Sequence, residues 1–132
     1  MIEPPPDFVM AGMACLQPNT VPSMLTAIQA QAARQQVDDQ VVDYAVRIVR
    51  ATRGFAGIAV GSGPRGTLAL IRGARAVALL EGREYVTPDA VKRVALPALR
   101  HRVALLPDAL LEGRSANDIL TDVLGVTAAP RV

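Results

Sequence analysis

The pentapeptide Gly61-Ser62-Gly63-Pro64-Arg65 is the stretch of this chain whose residue types best suit the binding of an anion. Pro64 fits the first position of a helix, because its missing N–H would be unpaired there in any case. Ser62 or Gly63 then precedes the helix as its N-cap, and Arg65 falls in the first turn. A guanidinium there opposes the helix dipole unless it meets an anion, which free backbone N–H groups would also bind. The spacing predicts either an anion site at Arg65 or a capped helix with an exposed arginine.

Two nucleotide-binding motifs match this stretch loosely, and both are rejected. Gly61, Gly63 and Gly66 spell G-x-G-x-x-G, but a dinucleotide fold requires a second parallel strand, and no such strand is predicted to follow. The phosphate-loop pattern G-x-x-x-x-G-K-[ST] fits Gly61 and Gly66, but Thr67 replaces its lysine. We therefore expect no phosphate loop here.

Residues for metal binding or nucleophilic catalysis are scarce. His101 is the only histidine and Cys15 the only cysteine, too few for a usual metal set, and a dyad between them is not expected. The carboxylates stand mostly at predicted helix starts, where they have structural roles. We expect no metal site and no enzyme activity from this chain by itself.

The composition favours one helical domain. Hydrophobic residues make up 51% of the 132 residues and aromatic residues only 3%, so the core must consist of aliphatic side chains that suit closely packed helices. No run approaches the roughly 18 apolar residues of a membrane span. A single cysteine excludes an internal disulfide and is compatible with a reducing compartment, so a cytoplasmic location is expected.

Helical periodicity and N-cap signals divide the chain into four or five helices. The predicted helices cover Ser23 to about Gln36, a segment after the N-cap Asp38, Pro64 to Glu81, a segment that begins at Pro88 after the N-cap Thr87, and Ala116 to Leu124 after the N-cap Ser115. Pro97 is expected to break or kink the fourth helix near Leu96. The prediction is a compact all-α bundle with an irregular proline-rich lead-in at 1–22, a helical domain at 23–126 and a tail at 127–132.

The helix predicted at Pro64 to Glu81 is apolar on nearly all sides, which is typical of a central helix covered by its neighbours. Gly73 lies inside it, where glycine costs about 1 kcal/mol relative to alanine. We therefore expect Gly73 to mark a close backbone contact. Before this helix, residues 53–63 hold four glycines and are predicted to form a loop, with one possible short strand at 57–60.

Several motifs follow one another in an order that resembles MoxR-type AAA+ ATPases. They are Thr52-Arg53, Gly61 to Arg65, Ala74-Arg75-Ala76, Glu81 to Asp89, and Leu99 to Arg102. The resemblance is to the C-terminal helical lid domain of that family and covers roughly Ser23 to Val126. Each motif alone is weak, whereas the ordered set is specific.

The resemblance implies a division of labour between domains. A separate core domain, in cis or in a neighbouring subunit, would carry the phosphate loop, the Mg²⁺-binding motif and the arginine finger. ATP and Mg²⁺ are then expected only in the full-length protein. Arg65 matches the sensor 2 arginine of the lid, with Gly61, Ser62, Gly63 and Pro64 as its supporting loop and helix start. A homo-oligomeric ring, von Willebrand A-type partners and chaperone-like maturation of other proteins are also implied.

This chain departs from the family pattern at the same motif. The family usually has Gly-Ala-Ser-Pro-Arg where this chain has Gly-Ser-Gly-Pro-Arg, so the N-cap serine is lost or displaced to Ser62. Gly66 and Gly73 also stand where alanine is usual, so a less rigid central helix is expected.

Two alternatives stay open. One is a stand-alone helical interaction module descended from such a lid. The other is a small nucleic-acid-binding domain, suggested by an isoelectric point of about 9.2 and by the basic residues between Lys92 and Arg102. The net charge of only +2 and the lack of aromatic residues in that segment argue against nucleic acid.

Overall fold

The computed structural model describes residues 22–131, which form six helices and one small antiparallel sheet. The elements are α1 (Pro22–Ala32), α2 (Asp39–Thr52), β1 (Ile58–Val60), α3 (Pro64–Leu80), α4 (Pro88–Leu99), β2 (Ala104–Leu105), α5 (Pro107–Leu111) and α6 (Ala116–Val126). The all-α prediction is confirmed, although the short helix α5 was not predicted. Of the predicted lead-in at 1–22, which includes Cys15, all but Pro22 lies outside the described residues.

Helix α3 is the central helix, as predicted. It packs against α4, α2 and α1, and its residues Leu70, Ala74 and Ala78 are fully buried. Helix α3 approaches α4 closely at Gly73, where an ideal β-carbon would lie 3.2 Å from Cβ of Val94. A close contact was expected at Gly73 and is observed, but the atoms that approach the glycine belong to the Val94 side chain and not to a backbone. The glycine therefore has a packing reason.

The N-caps predicted from sequence are confirmed. Side-chain oxygens accept backbone N–H groups at 2.8 Å for Asp38, 3.3 Å for Thr87 and 3.2 Å for Ser115. Ser115 completes a capping box, since its own N–H donates to Asp118 at 2.9 Å. These caps satisfy N–H groups that the first helical turn would otherwise leave unpaired.

Helix α1 was predicted to reach Gln36 but ends at Ala32. Gln36 instead pairs with the segment before α4 in an isolated parallel bridge. Its N–H donates to the Glu84 carbonyl at 3.3 Å, and its carbonyl accepts from Val86 N–H at 2.9 Å. Backbone pairing with another segment therefore replaces the last predicted turn of the helix.

Pro97 was predicted to break or kink the fourth helix, and of these the break is wrong, because α4 continues to Leu99. Proline removes one backbone donor, yet Arg100 N–H still donates to the Leu96 carbonyl at 3.0 Å. Pro97 lies on the exposed side, whereas Ala95 and Leu99 on either side of it are buried in the core. Packing of the buried side holds the helix across the proline.

The predicted loop at 53–63 contains strand β1, which sequence had indicated only as a possibility. It pairs antiparallel with β2, with Ile58 opposite Leu105 and Val60 opposite Ala104. Gly57 precedes the strand at φ 93°, a conformation that favours glycine. Across residues 22–131, no helix has both the length and the hydropathy needed to cross a bilayer.

Candidate functional site

The start of α3 has the predicted geometry. Gly63 is the N-cap residue, with φ −85° and ψ −175°, and Pro64 takes the first helical position. Arg65 therefore occupies the second position of the helix, and its side chain is exposed. Of the two N-caps that the sequence allowed, Gly63 is the one observed.

No side chain caps this helix. The Ser62 hydroxyl donates instead to the Gly63 carbonyl at 3.3 Å, and Gly66 N–H closes a tight backbone turn to the same carbonyl at 2.9 Å. Pro64 has no N–H and Gly66 N–H is used in that turn, so Arg65 N–H is the first-turn amide that has no acceptor in the described part of the chain, and it lies beside the Arg65 guanidinium. This combination of donors can bind an oxygen of an anion such as a phosphate.

Arg65 takes part in none of the ion pairs found among residues 22–131. Those pairs join Arg47 to Asp43, Arg83 and Arg93 to Glu81, and Arg114 to Asp122. The guanidinium of Arg65 is therefore not committed to a carboxylate within the described part of the chain. Its charge remains available to a ligand or to another domain.

The segment before α3 is tied to the end of α2 by a buried hydrogen-bonded pair. Thr52 and Ser62 are 0% and 1% exposed, and they are the buried polar residues of the described chain. The Thr52 hydroxyl donates to the Val49 carbonyl at 2.6 Å and accepts Ser62 N–H at 2.9 Å. One hydroxyl thus joins the last turn of α2 to the residue before the N-cap of α3.

Two further contacts reinforce this connection. Arg53 donates from Nε to the Ser62 carbonyl at 3.1 Å. At Gly61 the two backbones touch, since an ideal β-carbon there would lie 2.6 Å from Cα of Arg53 and 2.7 Å from the carbonyl carbon of Thr52. Gly61 is therefore required by the close approach of two backbones.

The five predicted site residues, Gly61 to Arg65, lie together at the start of α3. The structure also shows that Thr52 contributes a hydrogen bond to this segment, which was not predicted from sequence. Thr52 had been noted only as part of the family resemblance. Its buried hydroxyl was not predicted to bond to Ser62. The available signal was a threonine at the end of a helix, where its hydroxyl can reach a backbone group of the next segment.

Metal-binding residues and the basic segment give no second site. Among residues 22–131, no three His, Cys, Asp or Glu side chains lie together as metal ligands would. His101 is exposed in the turn after α4, and the neighbouring Arg102 donates from Nε to the Ala98 carbonyl at 3.2 Å.

Comparison with known proteins supports the family suggested by the motifs. A family model described as the AAA lid domain matches residues 50–123. Chaperone MoxR1 of Mycobacterium tuberculosis is 39% identical over 117 residues, covering 82% of this chain and 31% of its own. An uncharacterized protein of Bacillus subtilis, YeaC, is 36% identical over 103 residues, covering 78% of this chain and 32% of its own. The chain thus spans about a third of the length of these relatives.

The fold has a counterpart among solved structures. The crystal structure of a candidate ATPase from Cytophaga hutchinsonii superposes with a TM-score of 0.78 at 23% identity. The match covers 99% of this chain and 45% of that one. At this identity the likeness concerns the fold alone, whereas the family model and the relatives concern descent. The chain therefore belongs to the AAA lid domain family, as the lid of a MoxR-type AAA+ protein.

Proposed function

We propose that this lid contributes Arg65 as the sensor 2 arginine to ATP binding and hydrolysis, and that a separate AAA+ core domain completes the site. The observation that carries the proposal is an exposed guanidinium at the second position of a helix with no side-chain cap. The Arg65 N–H and the Arg65 guanidinium together present donors to one anion. The position matches the arginine of the lid motif in the family.

The residues present fit a phosphate group. The side chain of Ser62 is turned to the Gly63 carbonyl, so no side chain competes for the Arg65 N–H at the start of α3. When bound, ATP supplies the γ-phosphate whose transfer to water is the reaction. The role of this chain is to hold the positive charge of Arg65 against the phosphate oxygens, whose negative charge changes as the γ-phosphate is transferred. We assign the Mg²⁺ ligands and the phosphate loop to the core.

For the whole protein, we propose an ATPase that assembles or matures other proteins in the cytoplasm. The support is the similarity to chaperone MoxR1 and, over 47 residues at 57% identity, to the magnesium-chelatase 38 kDa subunit of Rhodobacter capsulatus. A lid implies a core domain, in cis or in a neighbouring subunit. The proposed ring and the von Willebrand A-type partners rest on the family resemblance.

Replacement of Arg65 by alanine in the protein that joins this lid to its core tests the proposal. We expect ATP hydrolysis to fall by at least about tenfold, since a charge-assisted hydrogen bond is worth about 1.5–3 kcal/mol. Thermal unfolding should stay unchanged because the side chain is exposed. The matched control is Arg72→Ala, which removes an exposed arginine two turns along the same helix. Equal turnover in the Arg65 and Arg72 variants would remove the sensor role.

A further inference from the structure

We propose that Thr52 is a positioning residue, whose buried hydroxyl determines where the start of α3, and with it Arg65, lies. The inference rests on the proposed role of Arg65 and extends it to a residue that does not touch the nucleotide. Its basis is the hydrogen bond from Ser62 N–H to the Thr52 hydroxyl at 2.9 Å.

The core does not need a hydroxyl at this position for packing. Thr52 is 0% exposed, and valine would fill nearly the same volume with no polar atom to satisfy. A buried hydroxyl is retained without cost only when it is hydrogen-bonded. The Thr52 hydroxyl makes two hydrogen bonds. It donates to the Val49 carbonyl in its own helix and accepts the Ser62 N–H of the next segment.

The bond is placed where it controls the next helix. Ser62 directly precedes the N-cap Gly63, and Pro64 then fixes φ at the first helical position. Few rotatable bonds therefore separate the anchored Ser62 amide from the backbone of Arg65. Since α3 has no side-chain cap of its own, the bond from Thr52 is the buried side-chain contact that orients its first turn.

The other contacts of the same segment do not replace this bond. The Arg53 guanidinium reaches the Ser62 carbonyl from an exposed side chain, which water can displace. Gly61 allows the backbones to touch but supplies no directional bond. Loss of the Thr52 hydroxyl would leave Ser62 N–H buried without an acceptor, and the segment would have to move to satisfy it.

Amide hydrogen exchange on the 132-residue chain tests the structural half of the proposal. In Thr52→Val, we expect exchange at Ser62 and Gly66, whose N–H groups are hydrogen-bonded in the native chain, to accelerate by at least about tenfold relative to the middle of α4. Thr52→Ser keeps the hydroxyl and should behave like the native chain. A matched control is Thr121→Val, because Thr121 donates to its own helix at the Asn117 carbonyl and joins no second segment. Unchanged protection in Thr52→Val would overturn the proposal.

A double-mutant cycle in the protein that carries the core tests the functional half. Thr52→Val should lower ATP hydrolysis by about fivefold or more, and Thr52→Ser should restore it. In an Arg65→Ala background, Thr52→Val should cause no further loss, because its effect passes through Arg65. An equal loss in both backgrounds would show a general structural role and would overturn the positioning proposal alone. If Arg65→Ala itself leaves hydrolysis unchanged, the proposed function fails, and the positioning proposal fails with it.

Discussion

The hydroxyl of Ser62 occupies the space that a side chain at position 66 would fill. An ideal β-carbon on Gly66 would overlap with Ser62 Oγ, and it would lie 3.2 Å from Ser62 Cβ and 3.1 Å from Cδ2 of Leu99. Ser62 is 1% exposed, so its hydroxyl cannot turn away to solvent. The serine at 62 and the glycine at 66 therefore depend on one another. This accounts for glycine at a position where the family resemblance led us to expect alanine.

The contact between Ser62 and Gly66 predicts that substitutions at these two positions have strongly coupled effects on the free energy of unfolding. Gly66→Ala alone should destabilise the chain by about 1–3 kcal/mol, because the added methyl group overpacks a filled site. In a Ser62→Ala background the same change should cost less than about 1 kcal/mol, since the hydroxyl is gone and alanine favours the helix. Urea unfolding of the four proteins gives the coupling free energy. Equal costs of Gly66→Ala in the two backgrounds would show that the residues are independent.

Replacement of the buried Tyr44 by phenylalanine is predicted not to destabilise the folded chain. Its side chain is 0% exposed, and its hydroxyl has no hydrogen-bond partner among the described residues. Burial raises the pKa of Tyr44, opposed by the Arg47 guanidinium and assisted by the Asp89 carboxylate. Tyr44→Phe removes the unpaired hydroxyl and keeps the ring, whose centroid lies 5.6 Å from the Arg47 guanidinium carbon. We expect unchanged stability or a gain of up to about 1 kcal/mol at pH 7.

The same substitution should change the response to alkali. Because the pKa of Tyr44 is raised in the folded chain, the unfolded chain ionises this tyrosine more readily than the folded chain does as the pH rises past the ordinary value of 10.0. The native protein therefore loses stability as the pH rises beyond that value, and Tyr44→Phe should lose less. Denaturant unfolding at pH 7 and pH 11 measures the difference. A Phe variant that is less stable at both pH values would mean that the hydroxyl is satisfied.

The capping box of α6 predicts an acid-dependent contribution to stability. The pKa of Asp118 is lowered by hydrogen bonds from the Ser115 backbone and side chain and by the charge of Arg114. Because the pKa of Asp118 is lower in the folded chain, its ionised carboxylate stabilises the fold at pH values above the ordinary pKa of 3.8. This stabilisation is lost as the pH falls through the folded-state pKa. Asp118→Ala should therefore be less stable than the native chain at pH 7, with a difference that shrinks at pH 3 and below.

Asn117→Ala is the control for that experiment. Asn117 is exposed in the first turn of the same helix, and its side chain does not titrate. Its effect on stability should be the same at pH 7 and at low pH. A difference between Asp118→Ala and the native chain that persists undiminished at low pH would show that the carboxylate charge is not the source.

Local signals predicted most of the fold. Asp38, Thr87 and Ser115 were recognised as N-caps, since each precedes an apolar-periodic run, and all three cap their helices. Long-range effects were missed. Gln36 leaves helical structure to pair with the segment before α4, and α4 passes through Pro97 because core packing outweighs one lost bond. No local pattern reports either contact.

The candidate site was predicted only in part, because some of its contacts are also long-range. Pro64 and Arg65 carry a local pattern, so the helix start could be located to within one residue. The roles of Thr52 and Gly61 arise from contacts across eight to ten positions of the chain, which residue types alone do not specify. The displaced serine was seen from sequence, but its overlap with position 66 required coordinates.

A γ-phosphate sensor at Arg65 must distinguish ATP from ADP. Calorimetry gives the Kd of a non-hydrolysable ATP analogue and of ADP for the core-and-lid protein and for its Arg65→Ala and Arg72→Ala variants. We expect Arg65→Ala to weaken binding of the analogue by at least about tenfold and to leave the Kd of ADP unchanged, and we expect Arg72→Ala to change neither Kd. An Arg65→Ala variant that binds both nucleotides as the native protein does, or loses both equally, would contradict the sensor role.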